Sequence, residues 1–148
     1  MLQNSSLMES SCPFIADRLA AMKMESVQPY ELLTALPEAS KQQFYRMAKF
    51  DYARFAGLFD LSPKKNLIII GTSHSSAARD QQQAAYVERI IQQYGSDYDI
   101  FFKPHPADSS SAGYPDRFEG LTLLPGQMPF EIFVWALLDK IDMIGGYP

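Results

Sequence analysis

The chain has 148 residues, enough for one domain with a real core and too few for two of full size. Hydrophobic residues make up 47% and charged residues 20%, a globular balance that excludes a wholly disordered chain. The formal net charge of -4 gives no basic surplus with which to grip a nucleic acid through its phosphates, so no nucleic acid partner is expected, while a local pocket for one small anion needs only a few groups.

The first half reads as helical. Pro13 is placed to open a short helix through Phe14, Ile15 and Leu19 to Met22, and Pro29 a second one at Tyr30 to Leu33. Pro37 and Glu38 begin a longer helix. In it Phe44, Met47, Ala48, Tyr52, Phe55, Leu58 and Phe59 recur at three- and four-residue steps, one apolar stripe along one continuous helix, with Gly57 near its end. A polar, proline-bearing hinge follows at Leu61-Ser62-Pro63-Lys64-Lys65. The expected organisation is a helical segment over 1–60 and a sheet-forming domain over 61–148.

The second half alternates. Leu67-Ile68-Ile69-Ile70 is an unbroken apolar run, the mark of a strand buried on both faces. It runs into the small-residue loop Gly71-Thr72-Ser73-His74-Ser75-Ser76. Then comes a helix from about Asp80, its expected cap, to Tyr94, with Ala84, Ala85, Val87, Ile90 and Ile91 on its buried face and Gly95 ending it. Residues 98–102 form the next strand, 104–115 a loop rich in Pro and Ser, 121–124 a third strand, 129–138 a helix and 141–144 a fourth strand. This order predicts an α/β fold: a Rossmann-like parallel sheet with helices on both faces, preceded by the helical N-terminal segment. Ligands of such sheets gather at the carboxyl ends of the strands. The polar clusters 71–76, 103–111 and 126–131 all follow strands, so all three fall on that edge.

Single residues carry the chemistry. Lys103 and His105 stand two apart at a strand end, and Pro104 and Pro106 stiffen the backbone around them. An imidazole held there suits contact with a phosphate or donation of a proton to a leaving group, and the lysine adds positive charge. A loop histidine hydrogen-bonded to backbone is the competing reading. Gly71-Thr72-Ser73 after a buried strand is able to present backbone N–H groups and hydroxyls to an anion, or to be a structural turn; it is neither a Walker loop nor a dinucleotide fingerprint. Pro129-Phe130-Glu131 opens a helix whose positive end favours anions, and Glu131 either stabilises that helix or accepts hydrogen bonds from two ribose hydroxyls.

His74 and His105 are the only histidines, with no clustered ligand spacing, so no metal or other cofactor is expected. No Gly-x-Ser-x-Gly elbow supports a serine triad. Cys12 is the single cysteine, which precludes an intramolecular disulfide and suits a reducing cytoplasm. No window approaches the ~20 apolar residues that span a bilayer. Residues 1–12 lack the charged start and apolar run of a secretory signal. An aromatic content of 13% is compatible with a peripheral association at a membrane surface.

The ordered set of motifs resembles the bacterial sialyltransferases of GT-B architecture, in particular the multifunctional α-2,3/α-2,6 group. The residues that carry the resemblance are Ile68-Ile69-Ile70-Gly71-Thr72, then Lys103-Pro104-His105-Pro106 as the HP motif. Leu124-Pro125-Gly126-Gln127-Met128-Pro129-Phe130-Glu131 and Ile144-Gly145-Gly146 follow, with Leu36-Pro37-Glu38 and Phe44-Tyr45 upstream. The resemblance covers roughly Tyr30 to the end and implies the C-terminal, donor-binding part of such an enzyme. It further implies a CMP-sialic acid donor, inverting transfer to a galactose-type hydroxyl of a glycan acceptor, and no metal. By resemblance His105 is the catalytic residue, contacting the CMP phosphate and assisting its departure. Lys103 and Glu131 hold the nucleotide, Glu131 at the ribose; Pro106, Pro129 and Phe130 lie on the same nucleotide side, and Gly71 and Thr72 line the cleft.

Two departures from the family pattern stand out. No Asp-Asp-Gly or similar acidic triplet occurs, and the sequence stops at Tyr147-Pro148, where the family's serine pair follows. The expectation is an incomplete enzyme, inactive alone in transfer, located in the cytoplasm or at the inner face of a bacterial membrane. Two other readings stay open. One is a GT-B glycosyltransferase of lipooligosaccharide or capsule assembly that uses another nucleotide sugar. The other is a non-catalytic remnant, or a module that pairs with a complementary subunit or with itself through an open sheet edge.

Overall fold

The computed structural model describes residues 29–73 and 76–147. The helix expected over 13–22, Cys12 and His74 lie outside them. The chain divides into two compact units, Met1–Ala35 and Leu36–Pro148. Of the first, the described part is one helix, α1 (Pro29–Ala35), opened by its proline as expected.

The second unit begins with two helices where the apolar stripe predicts one. Helix α2 (Glu38–Met47) and helix α3 (Tyr52–Phe59) are separated by a turn in which Lys49 takes a positive φ of 53°. Phe50 turns inward and is buried, with its N–H donating to Tyr45 O at 2.8 Å. Asp51 then caps the new helix, its carboxylate accepting from Arg54 N at 3.0 Å. The stripe survives the break because both helices face the same core, which is why periodicity alone does not reveal it.

Four strands follow: β1 (Lys65–Ile70), β2 (Tyr98–Lys103), β3 (Leu121–Leu123) and β4 (Met143–Gly146). They form one parallel sheet in the order β3-β2-β1-β4. The last strand is shifted two residues from its expected place, so Gly145 and Gly146 pair with Ile69 and Ile70. Helix α4 (Ala77–Tyr94) connects β1 to β2; Ser76 rather than Asp80 is its cap, accepting from Arg79 N at 3.4 Å, while Asp80 stands in the positive first turn. Between β2 and β3 lie a 3-10 turn (Ser110–Gly113) and the single-turn helix α5 (Tyr114–Arg117), in a segment that the sequence suggests is all loop. Helix α6 (Phe130–Leu137) and a second 3-10 turn (Leu138–Lys140) connect β3 to β4.

Alternation along β1 and β2 sends side chains to two cores. Leu67, Ile69, Ile100 and Phe102 meet Ala84 and Val87 of α4 together with Tyr114 and Phe118. On the opposite face Phe101 stacks on Phe59 of α3 with centroids 4.4 Å apart, and Phe133 of α6 packs edge-on against Phe50 and Phe55. Buried Asn66 ties these layers: its Nδ2 donates to Phe59 O at 2.9 Å and Lys140 O at 2.8 Å, and its backbone N–H to the Asp142 carboxylate at 2.8 Å. Lys140 also pairs with Asp60 at 2.7 Å. Among the described residues no helix is long and apolar enough to cross a membrane.

Candidate functional site

The parallel sheet brings the expected loops to one edge. Ile70, Lys103 and Gly146 are aligned across three adjacent strands, so the segments that follow them leave the sheet side by side. The segment after β3 joins them through direct hydrogen bonds.

Lys103 is the junction. Its side chain is only 2% exposed, and its ammonium donates to Pro104 O at 2.6 Å and to Gly126 O at 3.0 Å. Burial lowers the pKa of this amine from its ordinary value, and the charge of Glu131 acts the other way. Lys103 and His105 therefore do not share one open side: the lysine is inside, bracing two loops, and the histidine is exposed. The same two loops meet again where Gln127 Nε2 donates to Pro106 O at 3.3 Å. A Cβ on Gly126 would make only ordinary van der Waals contact, 3.5 Å from Pro104 Cβ and 3.8 Å from His105 O.

The loop after β1 is also internally committed. Gly71 N donates to Lys103 O at 2.9 Å, and Thr72 N donates to the Oε1 of fully buried Gln83 at 2.9 Å. These two backbone donors hold the sheet edge together and are not offered to an anion, which corrects that part of the sequence reading. Gly71 is buried and Thr72 half-buried at the end of the strand.

His105 is held at both its backbone and its ring. Its carbonyl accepts from Asp108 N at 2.9 Å, and its Nδ1 accepts from Ala107 N at 3.1 Å. An accepting Nδ1 assigns the hydrogen of the neutral ring to Nε2, which makes Nε2–H the donor of an exposed side chain. One ring nitrogen is thus bound to backbone, as the competing reading has it, and the other is the ring's donor. Glu131 is exposed in the first turn of α6, just after exposed Pro129 and half-buried Phe130. A carboxylate there gains from the helix dipole and has no ion-pair partner among the described residues. Pro106 is exposed beside His105. Among the described residues no group of three or more His, Cys, Asp or Glu side chains is disposed to hold a metal ion.

Two residues of this edge were not singled out from the sequence. Gln83 is a polar residue beside Ala84 and close to Val87 on the buried face of α4, where it interrupts an apolar stripe. Asp108 begins an Asp-x-Ser turn, a pattern with a defined side-chain-to-backbone bond.

No protein-family model and no curated protein matches the chain. Solved structures do. The GT-B domain of a sialyltransferase from Photobacterium damselae superposes with a TM-score of 0.72 at 23% identity, over 90% of this chain and 37% of that one. An α/β-galactoside α-2,3-sialyltransferase from the luminous marine bacterium Photobacterium phosphoreum gives 0.69 at 21% identity, over 96% and 39%. A 2,6-sialyltransferase from a Vibrionaceae Photobacterium, solved with the donor product CMP and the acceptor substrate lactose, gives 0.64 at 17% identity, over 88% and 28%. The chain spans little more than a third of the length of the first of these. Over that part, it has the α/β, Rossmann-like fold of the bacterial GT-B sialyltransferases.

Proposed function

We propose that this chain carries the donor-nucleotide site of a sialyltransferase-type glycosyltransferase, with CMP-sialic acid as the donor and a glycan hydroxyl as the acceptor. One observation carries the reading: His105, fixed through Nδ1 at the carboxyl edge of a parallel sheet, presents Nε2–H on the same edge from which α6 and Glu131 arise. The binding of CMP and lactose by a structural neighbour favours the cytidine nucleotide over others.

The chemistry suits these groups. Transfer breaks the bond between the anomeric carbon of the sugar and a phosphate oxygen of CMP, and negative charge grows on that phosphate. The Nε2–H of His105 donates to the departing oxygen, a contact that strengthens as the charge develops; a preorganised donor of this kind contributes roughly a hundred- to a thousandfold in rate. Glu131 accepts from the two ribose hydroxyls, with Pro106, Pro129 and Phe130 shaping the nucleotide side and Gly71 and Thr72 the cleft floor. Lys103 acts from beneath, by holding the Pro104 and Gly126 carbonyls in one frame. The acceptor hydroxyl attacks the opposite face of the sugar and gives its proton to a carboxylate that the family resemblance assigns to the other half of a GT-B enzyme. On this reading the chain binds CMP and does not by itself transfer sialic acid.

Titration of the purified chain with CMP, UDP and GDP tests the assignment. Saturable binding of CMP with no comparable binding of the other two is expected. Preference for UDP or GDP would move the chain to a glycosyltransferase with another donor, and efficient sialyl transfer by the chain alone would contradict the division of labour.

A further inference from the structure

His105 stands on an exposed loop, yet its geometry is anchored deep in the sheet. Phe102, fully buried in β2, packs against the ring of Tyr114 with centroids 5.0 Å apart, and Tyr114 packs against Phe118 at 5.3 Å. Tyr114 is preceded by the 3-10 turn Ser110–Gly113, whose Ser111 is also buried. Asp108 joins that turn to the histidine. Its Oδ1 accepts from Ser110 N at 2.8 Å and from Ser110 Oγ at 2.7 Å, while its own N–H donates to His105 O at 2.9 Å. Ala107, directly before Asp108, is thereby set to donate to His105 Nδ1.

We propose that Asp108 is the positioning residue of His105: its carboxylate fastens the 105–108 turn to Ser110, and so holds the Ala107 N–H on Nδ1 and keeps Nε2–H as the outward donor. The electrostatics agree with a carboxylate engaged as a hydrogen-bond acceptor. Burial pushes the Asp108 pKa up, but hydrogen bonding, foremost from Ser110, outweighs it and brings the carboxyl below its ordinary range. The importance of this turn for nucleotide binding rests on the CMP reading given above; the effect on the histidine itself does not.

Nitrogen-15 NMR of the histidine ring, with amide exchange at Ala107, separates the two. In the wild-type chain Nδ1 is expected to show the shift of a hydrogen-bonded acceptor and the Ala107 amide to be protected. In Asp108→Ala that protection should fall by about tenfold, the loss of roughly one hydrogen bond, and the ring signals should move toward those of a free histidine. Asp108→Asn keeps an oxygen for Ser110 and should restore both signals, a rescue that a purely bulk effect on stability would not give. Ser110→Ala removes one of the two donors and should give a partial loss, which keeps the test open if Asp108→Ala does not fold. CMP affinity should follow the same order, falling about tenfold in Asp108→Ala. Wild-type ring signals and Ala107 protection in Asp108→Ala or in Ser110→Ala would overturn the proposal. Loss of both signals in a chain that never bound CMP would uphold the positioning role and overturn the donor assignment instead.

Discussion

Gly71 lies directly against the ring of Phe102. A Cβ at position 71 would stand 3.1 and 3.2 Å from the ring's two Cε atoms and closer still to Cζ. Phe102 is fully buried between α4 and Tyr114, so its ring has nowhere to go. The glycine at the end of β1 is thus a matter of space, and it sets how near the 71–73 loop approaches the loop that carries His105. Gly71→Ala is expected to destabilise the fold by about 1–3 kcal/mol through overpacking, read as a lower midpoint in urea at unchanged slope.

Lys103 gives a pH prediction. Its amine is buried and its pKa in the folded chain is lowered, chiefly by desolvation. The unfolded chain then holds that proton more tightly than the folded one. The sign follows: the penalty for the buried charge is fully present below the folded pKa and is relieved as pH rises through it toward the ordinary value of 10.5. The stability of the wild-type chain relative to Lys103→Met is therefore expected to rise between neutral pH and about pH 10. A flat difference across that range would place the ammonium in water. The same substitution leaves the carbonyls of Pro104 and Gly126 without their shared donor, so CMP affinity should drop although Lys103 lies beneath the surface.

Asn66 makes a prediction remote from the site. Its Nδ2 bridges the end of α3 and the turn before β4, with two carbonyls satisfied by one amide. Asn66→Ala strands both and opens a small void, and is expected to cost about 2–4 kcal/mol, measured by chemical denaturation. CMP affinity measured well below the unfolding midpoint should be unchanged.

Much of this fold was legible from residue order. The unbroken run at residues 67–70 gave a strand buried on both faces, and the alternation of strands with helices gave a parallel sheet whose loops share one edge. That is the architecture observed. What escaped was the part that depends on where a side chain turns at a strand end. Nothing in Lys103-Pro104-His105 says that the lysine is buried and the histidine exposed, since a lysine is ordinarily found in water. Nothing in Gly71-Thr72 reveals that its first two N–H groups are already taken, because one acceptor, Gln83 Oε1, lies eleven residues further along the chain and the other, Lys103 O, thirty-two. The break between α2 and α3 escaped for a related reason: Phe50 and Asp51 act through burial and capping, while the apolar period continues across them.

On the proposed reading, His105 meets the phosphate of a cytidine nucleotide. Calorimetric titration of the wild-type and His105→Ala chains with CMP tests it most directly. Saturable binding by the wild-type chain is expected, with a loss of at least about tenfold in His105→Ala for removal of one hydrogen bond to a charged phosphate. Equal CMP affinity in the two chains, or none in the wild-type chain, would contradict it.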